Sequence, residues 1–111
     1  MPSTISKYGN VSVITVKDEL IGEEVEPFLM KARKCMAESG HQVVVDGSTL
    51  TGLDSAALEA LVALQNECEE HLGAVKFCAL SSTCDKILEI TRLARRFERF
   101  ADLESAVRSF H

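Results

Sequence analysis

The chain has 111 residues, 46% of them hydrophobic and 26% charged, with 2 Pro and 6 Gly. That length suits one domain of residues 1–111 with one core, and the composition excludes disorder as the main state. A formal charge of -5 argues against general affinity for nucleic acid or an anionic membrane, since both require a basic surface.

At the start, STISKY and VSVITV flank Gly9-Asn10, and a two-residue Gly-Asn connection between alternating runs predicts a tight antiparallel hairpin. Next, EEVEPFLMKARKCMAESG spaces Val25, Phe28, Leu29, Ala32, Cys35 and Met36 along one helical face, with acids and Pro27 in the first turn and Gly40 as a stop. HQVVVDG then carries three consecutive valines, the pattern of a central strand covered on both faces.

A polar loop over residues 47–53 leads to a helix from about Ser55 to Leu72, with Leu58, Leu61, Val62, Gln65, Cys68 and Leu72 at helical spacing before Gly73. AVKFCAL reads as a fourth strand. Ser82 with Asp85 resembles a capping box for a third helix whose inward face continues through Ile87, Leu88 and Thr91. Asp102 can cap a short last helix, with Phe97 and Phe100 anchoring the connection before it. The order is β-β-α-β-α-β-α-α. The fold class is therefore α/β: a four-stranded, mostly parallel mixed sheet with an antiparallel edge strand, covered by about four helices.

No apolar run approaches the roughly 20 residues that cross a bilayer, so no membrane insertion is expected. The opening MPSTISKYGN lacks the charged and apolar blocks of a secretion signal, which predicts a cytoplasmic protein. Cys35, Cys68, Cys78 and Cys84 form no C-x-x-C pair, and His41, His71 and His111 share no ligand spacing. Neither a metal site nor a cofactor is expected, and the thiols read as reduced and largely buried.

The stretch LTGLDSAALEALVAL, residues 50–64, poses the functional question. Asp54 or Ser55 can cap the helix that follows by accepting from its free N–H groups. Yet a loop after the C-terminal end of a buried parallel strand is where α/β proteins place their working groups. A hydroxyl there is also a suitable phosphate acceptor, because added negative charge meets the positive end of the helix dipole. The polar cluster Asp46, Ser48, Thr49, Asp54 and Ser55 offers no base besides carboxylates, so no catalytic residue is assigned. Arg92, Arg95, Arg96 and Arg99 form a basic stretch, read as a solvated face paired with Glu89 and Glu98, with phosphate or an acidic partner as the alternative.

VVVDGSTLTGLDSAALEALVAL, read with LEITRLARRFERFADLESAV, resembles the STAS domain of bacterial anti-sigma factor antagonists over essentially the whole chain. The shared features are a strand ending in Asp, a short loop, Asp-Ser opening a helix, a Leu-rich segment, a Phe and a terminal D-L-E-x-A. The resemblance implies the STAS-like fold and a protein-binding switch rather than an enzyme. Its partner would be an anti-sigma factor that is also a serine/threonine kinase, captured only by the unphosphorylated antagonist. The antagonist motif is Asp-Ser-Ser/Thr-Gly, in which the hydroxyl residue before Gly takes the phosphate; here those places hold Ala56 and Ala57. Ser55 becomes the phosphorylation candidate, and Asp46, Leu53, Asp54, Ser55, Ala56, Leu58 and Glu59 the expected partner surface. The same segment also resembles small STAS subunits that dock on the ATPase of a lipid-transport ABC system without phosphorylation. A homodimer is left open.

Overall fold

Gly9, with φ +66°, closes the opening hairpin in the computed structural model, which describes residues 3–111. It joins β1 (Ser3–Tyr8) to β2 (Val11–Val16) in antiparallel register, Tyr8 opposite Val11. Helix α1 (Val25–Glu38), β4 (Gln42–Asp46), α2 (Ser55–Glu70), β6 (Ala74–Cys78), α3 (Ser82–Ile90) and α4 (Leu103–Arg108) follow as the sequence pattern predicts. Three short strands lie between them: β3 (Asp18–Leu20), β5 (Leu50–Leu53) and β7 (Arg99–Phe100).

The main sheet runs β1-β2-β4-β6-β7, antiparallel only at β1, so the expected mixed α/β architecture holds with β7 as a fifth strand at the far edge. β3 and β5 form a separate parallel pair. The segment 47–53, expected as a plain loop, therefore contains a strand. Strands of two to four residues are too short for a period-2 pattern to register.

β4 is central, and Val43, Val44 and Val45 are each at most 1% exposed because both faces are covered. One face carries Ile14, Val16, Val43, Val45, Val75 and Phe77 against α1, α2 and α3. The other carries Val11, Val13, Val44 and Cys78 against α4 alone, through Ala106 and the half-buried Leu103, Val107 and Phe110. Fully burying a side chain such as Phe77 or Leu64 stabilises the fold by about 1.5–3 kcal/mol over leaving it in water.

Two helix boundaries differ from expectation. α3 is capped by Ser81, whose Oγ accepts from the Cys84 N–H at 3.2 Å, one residue before the expected Ser82. α2 stops at Glu70, and Leu72 takes the left-handed φ of +64° and stands 98% exposed instead of continuing the inward stripe. Gly73 follows because a Cβ there would meet the His41 carbonyl oxygen. Among the described residues no helix is long and apolar enough to cross a membrane.

Candidate functional site

The small β3–β5 sheet brings two helix entrances together. Leu20 lies opposite Leu53, the Asp18 N–H donates to the Thr49 carbonyl at 2.9 Å, and Thr49 Oγ1 donates to the Val16 carbonyl at 2.9 Å. The chain thus leaves β3 toward α1 beside the point where it leaves β5 toward α2. Asp54 ties these exits to each other: Oδ1 accepts from the Ala57 N–H at 2.9 Å, and Oδ2 accepts from the Gly22 N–H at 2.8 Å. Gly22 holds φ +51°, where a side chain would add strain.

These bonds favour the ionised form. The Gly22 N–H, then the Ala57 N–H, hold the Asp54 carboxyl below its ordinary value. A catalytic acid needs the opposite shift. Asp54 acts here as an anionic junction that fixes where α2 begins.

Ser55 is the first residue of α2 and is exposed. It lines an open, apolar hollow of about 370 Å³ with Leu58, Glu59, Val62 and Leu93. The buried stripe of α2 runs through Ala57, Ala60, Leu61, Leu64, Gln65 and Cys68. Leu58 and Val62, expected inward, stand half-buried at its edge instead. Two small alanines face the core, so the larger side chains beside them are left at the boundary. Ala57, in the place of the antagonists' glycine, is fully buried, and Ala56, in the place of their acceptor, is exposed without an oxygen to offer.

Of the seven residues expected to form the surface, Ser55, Leu58 and Glu59 line the hollow and Asp54 holds its rim. Ala56 is exposed beside Ser55, and Leu53 is half-buried against the core. Asp46 is used by its own turn, where Oδ1 accepts from the Ser48 N–H at 3.0 Å. Gly22 and Leu93 belong to the site and escaped the sequence reading, as did Ile21, 38% exposed and adjacent to Gly22, while Val62 was expected in the core rather than at the hollow. The only sequence signal for the 21–22 pair is an apolar residue left beside a glycine just before an acidic helix start.

All four cysteines are free and buried, and burial pushes the Cys68 and Cys78 thiols up to about 12. His41 and His71, far apart in sequence, stack with ring centroids 3.9 Å apart.

The STAS domain profile matches residues 3–106. The chain belongs to the STAS domain family. No curated protein matches it in sequence, and the solved structures that resemble it establish the shared fold. A Thermotoga maritima protein assigned as an anti-sigma factor antagonist superposes with a TM-score of 0.89 at 15% identity, covering 96% of this chain and 92% of the other. The anti-sigma factor antagonist SpoIIAA in its unphosphorylated form gives a TM-score of 0.81 at 19% identity over 95% and 92%, and the Bacillus protein has also been solved phosphorylated. Murine Slc26a9, an anion transporter, contains the same fold, with a TM-score of 0.72 at 18% identity over 92% of this STAS domain and 18% of the transporter.

Proposed function

We propose that this STAS domain is an anti-sigma factor antagonist: a binding module, not an enzyme, that captures an anti-sigma factor of the serine/threonine kinase type through the Asp54–Ser55 ridge. It works in the bacterial cytoplasm without a cofactor, and phosphorylation of Ser55 releases the kinase. The observation that carries this reading is an exposed hydroxyl at a helix entrance, on the rim of an apolar hollow. Phosphate at Ser55 would add a charge of about -1.5 to -2, which the helix N-terminus tolerates in the free protein. In the complex the same charge would be pressed against Leu58, Val62 and Leu93 and beside Asp54. Desolvation and repulsion there would cost the complex on the order of 2–5 kcal/mol, enough to switch binding. The existence of SpoIIAA in both forms supports such a cycle.

Incubation with a candidate anti-sigma kinase and ATP, followed by phosphate mapping by mass spectrometry, tests the switch. Wild type should be modified at Ser55, and Ser55→Asp should bind the kinase some thirtyfold or more weakly, the low end of that cost. Equal modification of Ser55→Ala would overturn it. Ala56 at the usual acceptor's place favours a second reading, an unmodified docking subunit on the ATPase of a lipid-transport ABC system. Co-purification with such an ATPase that survives Ser55→Asp would favour it.

A further inference from the structure

Four arginines crowd residues 92–99, and the fold divides them into two kinds. Arg96 Nη2 reaches Asn66 Oδ1 at 2.7 Å and Glu69 Oε1 at 3.1 Å, both on α2. Arg99 Nη1 reaches Asp85 Oδ1 at 3.0 Å and lies 3.9 Å from Glu89 Oε1. Glu98, expected to pair with an arginine, is instead 3.2 Å from Lys76 Nζ. Arg92 and Arg95 pair with no carboxylate among the described residues. They stand exposed and line a second hollow of about 330 Å³ with Glu89 and Ala94.

This second hollow adjoins the first, since Leu93 lines one and its neighbour Ala94 lines the other. The turn that carries them is locked to α2. Gln65 is 4% exposed; its Nε2 donates to the Arg96 carbonyl while its Oε1 accepts from the Val75 N–H at 2.6 Å. With both ends of a buried amide engaged, the basic lip has a fixed place beside the apolar hollow. Arg92 also sits just past α3 at φ +64°, a position that glycine fills at lower conformational cost. The chain keeps a five-donor guanidinium there.

We infer that Arg92 and Arg95 extend the docking face beyond Ser55, and that its occupant is a partner segment with an apolar side chain flanked by carboxylates. The apolar group fills the hollow of Leu58, Val62 and Leu93, and the carboxylates meet the two arginines. Charge complementarity selects this occupant: these are unpaired cations beside an apolar hollow in a chain of net charge -5. The inference rests on the protein-binding reading of the Ser55 ridge and is independent of phosphorylation.

The test titrates the 15N-labelled full chain with the peptide acetyl-Glu-Glu-Leu-Leu-Glu-Glu-amide and with its Lys-for-Glu counterpart. The acidic peptide should shift the amides of Ser55, Leu58, Val62 and Leu93 and bind about tenfold more tightly than the basic one at about 50 mM salt. The preference should shrink near 0.5 M, where the screening length falls to a few ångströms. Arg92→Glu combined with Arg95→Glu should reverse it. Arg92→Gly should keep or raise Tm while weakening the acidic peptide severalfold, which a purely structural arginine would not do. Equal affinity for the two peptides, no binding of the acidic one, or shifts confined elsewhere would overturn the inference, as would full affinity in both arginine variants. A Ser55 that no kinase modifies would leave these results standing.

Discussion

The two faces of the sheet are built to different thickness. Three helices cover one face, where Phe77 is fully buried and meets Phe97 edge-on at 5.0 Å. On the other, only α4 covers Val11, Val13, Val44 and Cys78. The buried Lys76 lies on this thin side. Its Nζ donates to Ser109 Oγ at 2.8 Å and sits 4.1 Å from the centre of the Phe110 ring. The buried ammonium is compensated there by Ser109 and Phe110, just past α4, and by Glu98 at 3.2 Å. The thick face leaves Leu58 and Val62 half-buried at one edge of α2, whereas the cover of the thin face is a single six-residue helix.

The largest test of that contrast removes an aromatic side chain from each face. Phe77→Ala should cost about 3–5 kcal/mol, the range for a large buried ring whose neighbours relax only partly. Phe110→Ala, half-buried at the rim, should cost about 1–2 kcal/mol. Urea unfolding of both variants measures the gap. Equal losses would mean that the thin face carries as much of the fold as the thick one.

A gentler probe uses the thiols. Cys68 sits on α2 with its Sγ 3.7 Å from Met36 Sδ of α1, Cys78 lies under α4, and burial raises both to about 12. At pH 8 each is protonated in the native fold, so alkylation reports openings that expose the thiol. Release of α4 exposes Cys78 alone, whereas Cys68 needs α1 and α2 to part. Mass-spectrometric mapping should find Cys78 labelled about tenfold faster. The shared raised values also carry a sign: the stability they contribute is whole below the unfolded thiol's pKa near 9 and is lost as pH rises toward 12, so urea midpoints should fall over that window.

How much of this was readable in advance follows the same physics. The valine run at 43–45, the Gly-Asn hairpin and the inward face of α1 were legible, because each is a local pattern with one structural solution. Five of the six residues placed on the α1 face are buried, Leu29 being half-covered. On α2 the pattern locates Leu61, Gln65 and Cys68 in the core but misses Ala57 and Ala60, whose side chains are too small to mark a stripe, and it places the half-buried Leu58 and Val62 too far inward. Ser55 could be placed from its capping neighbour. Gly22 and Leu93, 32 and 39 positions from Asp54 in the sequence, join the site through packing that no local window contains.

The smallest test compares the entrances of the two faces' helices. Asp54 and Asp102 both cap by accepting from the N–H three residues on, at 2.9 and 2.8 Å. Both carboxyls are held below the ordinary value, Asp54 chiefly by Gly22 and Asp102 chiefly by Ser105. Among the described residues, Asp54 alone of the two uses its second oxygen on another segment. Alanine at either position should lower Tm, with the larger drop at Asp54 because the β3 exit is released together with the cap. The pH dependence has a definite direction: a depressed carboxyl contributes stability above its unfolded pKa near 3.8 and loses it as pH falls through the lower folded value. Relative to its intrinsic rate, amide exchange below pH 4 should therefore quicken at Ala57 and Gly22 together in wild type. Independent quickening of those two amides would show that Asp54 is an ordinary local cap like Asp102, and that the site beside Ser55 is held in place by something else.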